Sequence, residues 1–460
     1  MSLDRRRVSM KNKHSVDLTS GSVIKKLLVF AFPILVSNIM QQLYNTADMI
    51  VVGKFVGDNA LAAVGTTGEI TVLIVNLFFG LSIGANIICS NLYGAKDKEG
   101  LSRSMHTAML ISFISGFVMA LLGLIIARPA LKLIGCPDSV IDDATLYMQV
   151  YFCGSPASMA YNFGSAILRA HGDTKRPMII LMISGLVNVS LNILFVTAFH
   201  MGVVGVSLAT IASQVVSAVV VLFILFNPKE EYRMQLKKLK IHHPELANLL
   251  RIGMPCGLNG IIFNFSNIIL QSSVNSLGEI AMASVTASTR ITNIVYMVLS
   301  STYSACVSFS GQCYGAKNYE RIDELWKKSI CLCAGIIAVM ALFLTFFSKY
   351  ALGLFTNNPI VIQTAQPMLI LFVWSYMLYS IPECSVGCVR GMGSSSIPTM
   401  LNIICICAPR IIWNYFFFPM NPTIGWLYVC YPISYVICSI AQVSYFKYRR
   451  KQLNRSEIVP

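Results

Sequence analysis

The sequence predicts an all-α membrane protein with twelve transmembrane helices in two pseudo-symmetric six-helix lobes around a central cleft. First, 55% of the 460 residues are hydrophobic and only 12% are charged, whereas soluble chains carry about 25% charged residues. Second, many apolar runs reach the roughly 18 residues that a membrane-spanning helix needs. Third, several motifs occur twice, at one constant distance along the chain.

Apolar runs between polar segments define the predicted helices, and none of these runs shows the alternating pattern of a strand. An even number of spans places both ends of the chain on the same side of the membrane. The predicted spans are 27–52, 62–90, 105–127, 141–166, 176–198, 203–226, 249–275, 282–310, 328–348, 362–388, 396–418 and 424–446.

Basic residues set the predicted orientation. They crowd into both terminal segments and into the loops after even-numbered spans, while the opposite loops hold only Lys54, Arg128, Lys132 and Lys349. Because Lys and Arg are enriched in cytoplasmic loops, we expect a multi-pass protein of the cell membrane with both termini in the cytoplasm. The net charge of +15 therefore reflects topology, and no nucleic-acid partner is expected.

An internal repeat organises the chain. "NLYGAKDKEGL" at 91 returns as "QCYGAKNYERI" at 312, and "LRAHGDTKRP" at 168 returns as "VRGMGSSSIP" at 389, with the same offset of 221 residues. Two halves with an even number of spans each have the same orientation, related by an axis along the membrane normal. We therefore predict an N-terminal lobe over 1–226, a cytoplasmic linker over 227–246 and a C-terminal lobe over 247–460.

One face of the first span is polar. Gln41, Tyr44, Asn45 and Asp48 follow the spacing i, i+3, i+4 and i+7 in an apolar stretch, which places them on one face of a helix. An ionised carboxylate at the centre of a span costs about 2.5–3.5 kcal/mol. We therefore expect this face to point to protein or water, with Asp48 binding a cation and the other three residues lining the cleft.

Several motifs, in order and spacing, resemble the multidrug and toxic compound extrusion family, the MATE transporters. They are "QQLYNTAD" in the proline-led first span, "YGAK" after spans 2 and 8, "ILRAHGDTKRP", "HMGVVGVSLAT", "GCVRGMGSSSIP" and "PRIIW". The resemblance covers about 20–450. It implies two six-helix lobes, alternating access, and export of drug-like organic cations driven by entry of Na⁺ or H⁺.

The resemblance also implies a coupling site in the N-terminal lobe. It places Asp48 beside Asn188, Asn192 and Thr210, with Asp48 as a possible Na⁺ ligand. Many relatives carry an aspartate where this chain has Asn192, so the ion and the stoichiometry stay open between Na⁺ and H⁺. The structural alternative is that Asp48 only forms hydrogen bonds with neighbouring helices.

A second acid within a predicted span is Glu383, which follows Pro382. The repeat offset maps Glu383 onto Asn162, and we predict that both line the substrate cleft. Glu383 is expected to bind cationic substrate, to titrate as a second proton site, or to pair with a hydroxyl group.

The third acid within a span is Glu69, which the repeat offset maps onto Arg290. We predict that the two form an ion pair that closes the outer gate, because an unpaired charge at that depth is costly. The alternative is that each caps its own lobe. Arg410 is another basic residue within a span, and we expect it to be structural, either stacking on Trp413 or extending toward an interface.

The energy source follows from a missing motif. The sequence has no GxxxxGK[ST] stretch, so no Walker A loop is present, and coupling to Na⁺ or H⁺ is expected without another cofactor. The predicted partners are organic cations and the lipid bilayer, and the expected state is a monomer. The alternative function is a flippase or exporter of lipid-linked or metabolite cargo. An enzyme is not expected, because no histidine clusters with an acid inside a span.

Overall fold

The structure is a computed structural model that describes residues 16–228, 230 and 232–458, with the side chains of Asp58, Glu69 and 456–458 outside the described set. The described part of the chain contains helices and no strand. Eleven of its helices are long and apolar enough to cross a membrane. The predicted all-α membrane fold is therefore confirmed.

Fifteen α-helices follow one another along the described chain. They are α1 (Val23–Phe55), α2 (Asp58–Gly94), α3 (Lys98–Leu133), α4 (Ile141–Cys153), α5 (Ser155–Ala170), α6 (Lys175–Ile193), α7 (Gly202–Phe226), α8 (His243–Ser276), α9 (Glu279–Gly315), α10 (Tyr319–Gly353), α11 (Pro359–Gly391), α12 (Ser396–Asn402), α13 (Ala408–Ile412), α14 (Ile424–Tyr428) and α15 (Cys430–Ile458).

The predicted fourth span, 141–166, is not one continuous helix. It consists of α4 and α5, which meet at Gly154, and Pro156 lies in the first turn of α5. Proline is tolerated in a first helical turn but cannot donate the hydrogen bond that would continue the preceding helix. Because neither α4 nor α5 has the length of a span on its own, eleven described helices, rather than twelve, have the length and composition of a span.

Three π-helical turns interrupt or end the spans that correspond to each other in the repeat. Leu194–Ala198 ends the span that begins with α6, while Ile403–Cys407 and Trp413–Phe417 flank α13. Each π turn inserts an extra residue into the helix, and such turns are frequent at functional sites. The short helix α13, which carries Arg410, is therefore held between two irregular turns.

The chain divides into two compact units. Among the described residues, one unit holds 16–17 and those of Val36–Gly257, and the other holds Leu18–Leu35 and 258–458. The division falls within α1 and α8, close to the internal prolines Pro33 and Pro255. The boundaries predicted from the repeat, 1–226, 227–246 and 247–460, stay a prediction.

Glycines bring two helices of the first unit into backbone contact. A Cβ atom on Gly80 of α2 would lie 2.1 Å from the backbone nitrogen of Gly257, and one on Gly84 would lie 2.9 Å from the Cα atom of Gly253. Small residues let membrane helices approach this closely. The contact between α2 and α8 is thus built from main chain.

Two clusters of buried side chains form much of the remaining core. In the first unit, Met148, Phe152 and Phe163 pack with residues of α2 and α3. In the second unit, Leu270 of α8 and Phe372 of α11 belong to a cluster that also includes residues of α9 and α14. These clusters fix the helices that carry the polar residues described below.

Candidate functional site

The carboxylate of Asp48 lies inside the first unit. Asp48 is only 9% exposed, and its Oδ1 atom accepts a hydrogen bond from the Asn192 amide of α6, whose side chain is fully buried. The predicted polar face of the first span therefore turns its acid toward protein. No described lysine or arginine forms a salt bridge with Asp48.

Three neutral side chains continue the network from Asp48. Asn192 Nδ2 lies 3.4 Å from Asn188 Oδ1, and Asn188 Nδ2 lies 3.4 Å from Thr210 Oγ1. The Thr210 hydroxyl interacts with the Asp48 carboxylate and donates to Val206 O at 3.0 Å. The structure thus brings together the four residues that were predicted as a coupling site, and their role stays a prediction.

The donor set suits a monovalent cation better than a transition metal. Asn192 Oδ1 is buried and has no hydrogen-bond partner among the described residues. Together with the carboxylate and the Thr210 hydroxyl, it offers oxygen ligands only, which hard cations prefer. Across the described residues, no group of three or more His, Cys, Asp or Glu side chains has the arrangement of a metal site.

Two tyrosines near this network were missed by the sequence analysis. Tyr147 and Tyr151 of α4 are close enough to Asp48 to interact with it electrostatically, and their rings lie 6.3 Å apart. Their i, i+4 spacing was the available signal, since it places both on one face of a helix. They place two phenol groups within electrostatic reach of the carboxylate.

The residues predicted to line the cleft have varied surroundings. The Tyr44 hydroxyl donates to Leu181 O at 2.7 Å, and a Cβ atom on Gly185 would lie 1.6 Å from Tyr44 Cζ. Tyr44 thus packs directly on α6. Gln41 and Asn45 are exposed, and their role at a cleft, like that of Tyr44, stays a prediction.

Asn162, the predicted repeat counterpart of Glu383, bonds to its own helix. Its Nδ2 atom donates to Ser158 O at 2.9 Å, and its side chain is half-buried. This bond uses one proton of the Asn162 amide and leaves the second proton and the Oδ1 atom available for other partners. Its predicted place at a cleft stays a prediction.

Glu383 belongs to a polar network of the second unit. Its half-buried carboxylate forms a hydrogen bond with Tyr379 and interacts electrostatically with Arg390. Arg390 is buried and donates to the Tyr303 hydroxyl at 2.6 Å and to Thr399 Oγ1 at 3.0 Å. Of the expected alternatives, pairing with a hydroxyl group is present in this structure.

The predicted gate pair cannot be assembled from the described side chains. The side chain of Glu69 lies outside the described set, and Arg290 is exposed on α9. The ion pair between the two stays a prediction.

Arg410 differs from its expected environment. Its side chain is fully buried, and its Cζ atom lies 3.9 Å from the ring centroid of Tyr431, with Phe263 and Tyr435 at 5.2 and 5.4 Å. Trp413 instead stacks on Phe417 at 5.0 Å. The expectation that Arg410 stacks on Trp413 or extends to an interface was wrong, because aromatic side chains from α8 and α15 enclose the guanidinium.

The family model MatE matches residues 33–194 and 255–416. The chain belongs to the MatE family. The two matched stretches have equal length and cover most of the chain, so the MatE domain occurs twice, as the internal repeat indicates. The protein is accordingly a multi-pass membrane transporter of a multidrug efflux family, as the motifs of the first span and of the repeated loops predicted.

Relatives of this MatE protein resemble it along most of their length. The probable multidrug resistance protein YoeA of Bacillus subtilis is 27% identical over 94% of this chain and 96% of its own. The FAD transporter of Shewanella oneidensis is 23% identical over 77% and 78% of the two chains. The fold matches a MOP superfamily transporter from Pyrococcus furiosus with a TM-score of 0.88, at 24% identity, over 95% and 98% of the chains.

Proposed function

We propose that this protein is an antiporter that exports organic cations in exchange for Na⁺ or H⁺, with Asp48 as the coupling residue. The observation that carries the proposal is the carboxylate itself, which is 9% exposed and faces only neutral groups. A charged group buried without a counter-charge is strongly unfavourable. A bound cation or proton supplies the missing positive charge.

The contacts of Asp48 suggest how binding changes the protein. A cation at Asp48 competes with the Asn192 amide for the same carboxylate oxygen, because the cation and the amide N–H are both attracted to its negative charge. Rotation of the amide would present Asn192 Oδ1, which has no partner among the described residues, to the incoming ion. Occupancy would thereby alter the contact between α1 and α6.

Coupling requires that the two bound species favour different states of the transporter. A ligand shifts a conformational equilibrium only by its difference in affinity for the two states. We infer that the cation enters from outside and favours the state that releases cargo outward. The cargo then binds from the cytoplasm and favours the opposite state.

The remaining features of the proposal follow from the sequence. Away from the ends of the predicted spans lie three acids, Asp48, Glu69 and Glu383, and two bases, Arg290 and Arg410. This excess of acid favours cationic cargo, and we assign its path to Gln41, Tyr44, Asn45, Asn162 and Glu383. The basic loops place both termini in the cytoplasm. The protein acts as a monomer in the cell membrane, and Glu69 with Arg290 closes the outer gate.

A second candidate is export of metabolites. One relative is called an FAD transporter, and its cargo differs in charge and size from a drug-like cation. This candidate keeps the same coupling residue and changes only the compound that is carried.

The test is export from proteoliposomes under an imposed Na⁺ or H⁺ gradient, one gradient at a time. We expect one of the two gradients to drive export by the wild-type protein, and Asp48→Asn to abolish gradient-driven export. The matched control is Asp142→Asn, which removes an acid that is 77% exposed and pairs with Arg128. Export by Asp48→Asn at the wild-type rate would contradict the proposal.

A further inference from the structure

Arg410 carries a buried charge that the second unit does not neutralise. Its side chain is fully buried, and its Nε, Nη1 and Nη2 atoms have no hydrogen-bond partner among the described residues. Burying a charge in this way is expensive unless it is paired and hydrogen-bonded. A guanidinium offers five N–H donors in a planar fork that matches a carboxylate.

The rings around Arg410 stabilise its charge, and the Tyr435 hydroxyl interacts with the guanidinium, but no anionic group among the described residues faces it. Tyr431 lies against the face of the guanidinium at 3.9 Å, a separation typical of a cation–π contact. The groups with the largest electrostatic effect on Arg410 are Tyr435, Tyr431, Cys430 and Tyr379, and no carboxylate is among these four. Because a ring on the face leaves the edge of the fork open, an acceptor in the plane is still missing.

The other buried charges of the second unit are already engaged. Arg450 donates to both carboxylate oxygens of Asp323 at 2.8 Å. Arg390 interacts with Glu383, which also bonds to Tyr379. Among the described residues, Arg410 is therefore the buried cation of this unit that an external anion would neutralise.

The internal repeat relates Arg410 to the candidate coupling site of the first unit. The matched stretches begin at 33 and 255 and end at 194 and 416, so toward these ends the offset is 222 residues, one more than the 221 residues that separate the motifs between them. Arg410 then takes the place of Asn188, Asn414 that of Asn192, and Leu270 that of Asp48. The same site of the repeat holds a negative group in one half and a positive group in the other.

We propose that Arg410 and the hydroxyl groups of Tyr431 and Tyr435 form a subsite for a carboxylate of the exported compound. A single uncompensated positive charge favours a monoanion, and the surrounding rings favour a flat aromatic scaffold. The inference rests on the proposed export function and narrows its cargo to compounds that carry a carboxylate beside their cationic group.

The backbone offers a way for Arg410 to reach such cargo. The helix α13 lies between the π-helical turns Ile403–Cys407 and Trp413–Phe417. A π turn that shifts by one residue along a helix rotates the side chains that follow it. A shift at either turn would rotate the guanidinium so that the edge of its fork faces a bound carboxylate.

The experiment compares two dyes that differ in one group. One is a cationic xanthene dye with a free benzoate, and the other is its methyl ester, so that only the negative charge changes. Binding to the purified protein is measured by fluorescence anisotropy. We expect the wild-type protein to bind the free acid about tenfold more tightly than the ester, which corresponds to about 1.4 kcal/mol. Equal affinity for the two dyes would overturn the proposal without any variant.

Variants then assign the preference to Arg410. Arg410→Gln should remove the preference for the acid and leave ester binding unchanged, while Arg410→Lys, which keeps the charge but loses the fork, should retain part of it. The control is Arg128→Gln, at an arginine that is 53% exposed and pairs with Asp142. An unchanged preference in Arg410→Gln, or in Arg410→Lys if the first variant does not fold, would contradict the assignment.

Two further measurements separate this inference from the proposed function and from other anions. Asp48→Asn should lose gradient-driven export of both dyes and keep the preference for the acid in binding. Competition with benzoate and with phenyl phosphate tests the kind of anion. Displacement of the acid dye by benzoate supports a carboxylate subsite, and displacement by phenyl phosphate alone would overturn it.

Discussion

The two halves of the chain place opposite charges at corresponding sites. In the first unit, Asp48 accepts a hydrogen bond from the amide of Asn192, which in turn contacts Asn188. In the second unit, Leu270 and Arg410 occupy the positions of Asp48 and Asn188. The repeated helices thus fix where a charged group can lie, and single side chains decide which ion that position attracts.

The two sites also differ in how their charge is accommodated. The carboxylate of Asp48 accepts a hydrogen bond from the neutral Asn192 amide and lies near the Thr210 hydroxyl, whose proton goes to Val206 O. The guanidinium of Arg410 is surrounded by rings, which attract a cation but accept few hydrogen bonds in its plane. The site at Asp48 is therefore hydrogen-bonded but lacks a positive charge, and the site at Arg410 lacks an anionic acceptor.

We expect the largest difference between the sites at Asp48 and Arg410 when a second acid is added beside Asp48. Asn192→Asp replaces the donor to Asp48 with a like charge, which must bind a proton or a cation to be tolerated. We expect added Na⁺ or lower pH to raise the thermal unfolding temperature of the purified variant far more than that of the wild type, by linkage. An equal response of the two proteins would show that the carboxylate at 192 does not meet Asp48.

The corresponding change in the second unit should have a different effect. Asn414→Asp places a carboxylate one helical turn after Arg410, where it can pair with the guanidinium. We expect the preference for the acid dye over its ester to fall about tenfold, because the internal carboxylate replaces that of the cargo. The measurement is fluorescence anisotropy.

The dependence of stability on Na⁺ and pH in Asn414→Asp should stay that of the wild type. If Na⁺ or low pH stabilised Asn414→Asp as strongly as Asn192→Asp, the two sites would not differ in the charge that they attract. A retained preference for the acid dye would show that Arg410 does not attract the carboxylate of the dye.

A smaller effect is expected where α1 packs on α6 in the first unit. Gly185→Ala introduces a Cβ atom 1.6 Å from Tyr44 Cζ, and overpacking of this kind typically costs about 1–3 kcal/mol. We expect a lower thermal unfolding temperature and slower export, since the contact adjoins the Asp48 network. Gly335→Ala is the control, because nothing lies within 4 Å of an added Cβ atom there.

Gly335→Ala should leave stability unchanged or raise it by about 1 kcal/mol, the difference between the helix propensities of Ala and Gly. If Gly185→Ala were as stable as this control, Tyr44 would have to be more mobile than its contact with α6 indicates.

Much of the fold can be predicted from local patterns in the sequence. Apolar runs and basic loops predicted the spans, because the membrane requires long helices with satisfied backbones. The polar spacing that ends at Asp48 predicted a buried acid, and the family resemblance supplied Asn188, Asn192 and Thr210. These residues could be predicted because residue spacing and similarity to a family can both be read directly from a sequence.

Other features depend on contacts between distant segments. The cage of Arg410 comes from Phe263 of α8 and from Tyr431 and Tyr435 of α15, whereas the sequence pointed only to the nearby Trp413. The break at Gly154 and the π turns depend on backbone geometry that composition does not encode. Such features appear only when helices that are far apart in the chain are packed.

The glycine contact between α2 and α8 has a practical consequence for genetic screens. Where Gly80 meets Gly257 there is no side chain that can bend aside, so even one added methyl group forces two helices apart. Substitutions there would abolish drug resistance by reducing the amount of mature protein. A screen for loss of resistance should therefore also measure how much of each variant reaches the membrane. Without that measurement, the glycine contact between α2 and α8 would be mistaken for a drug-binding site.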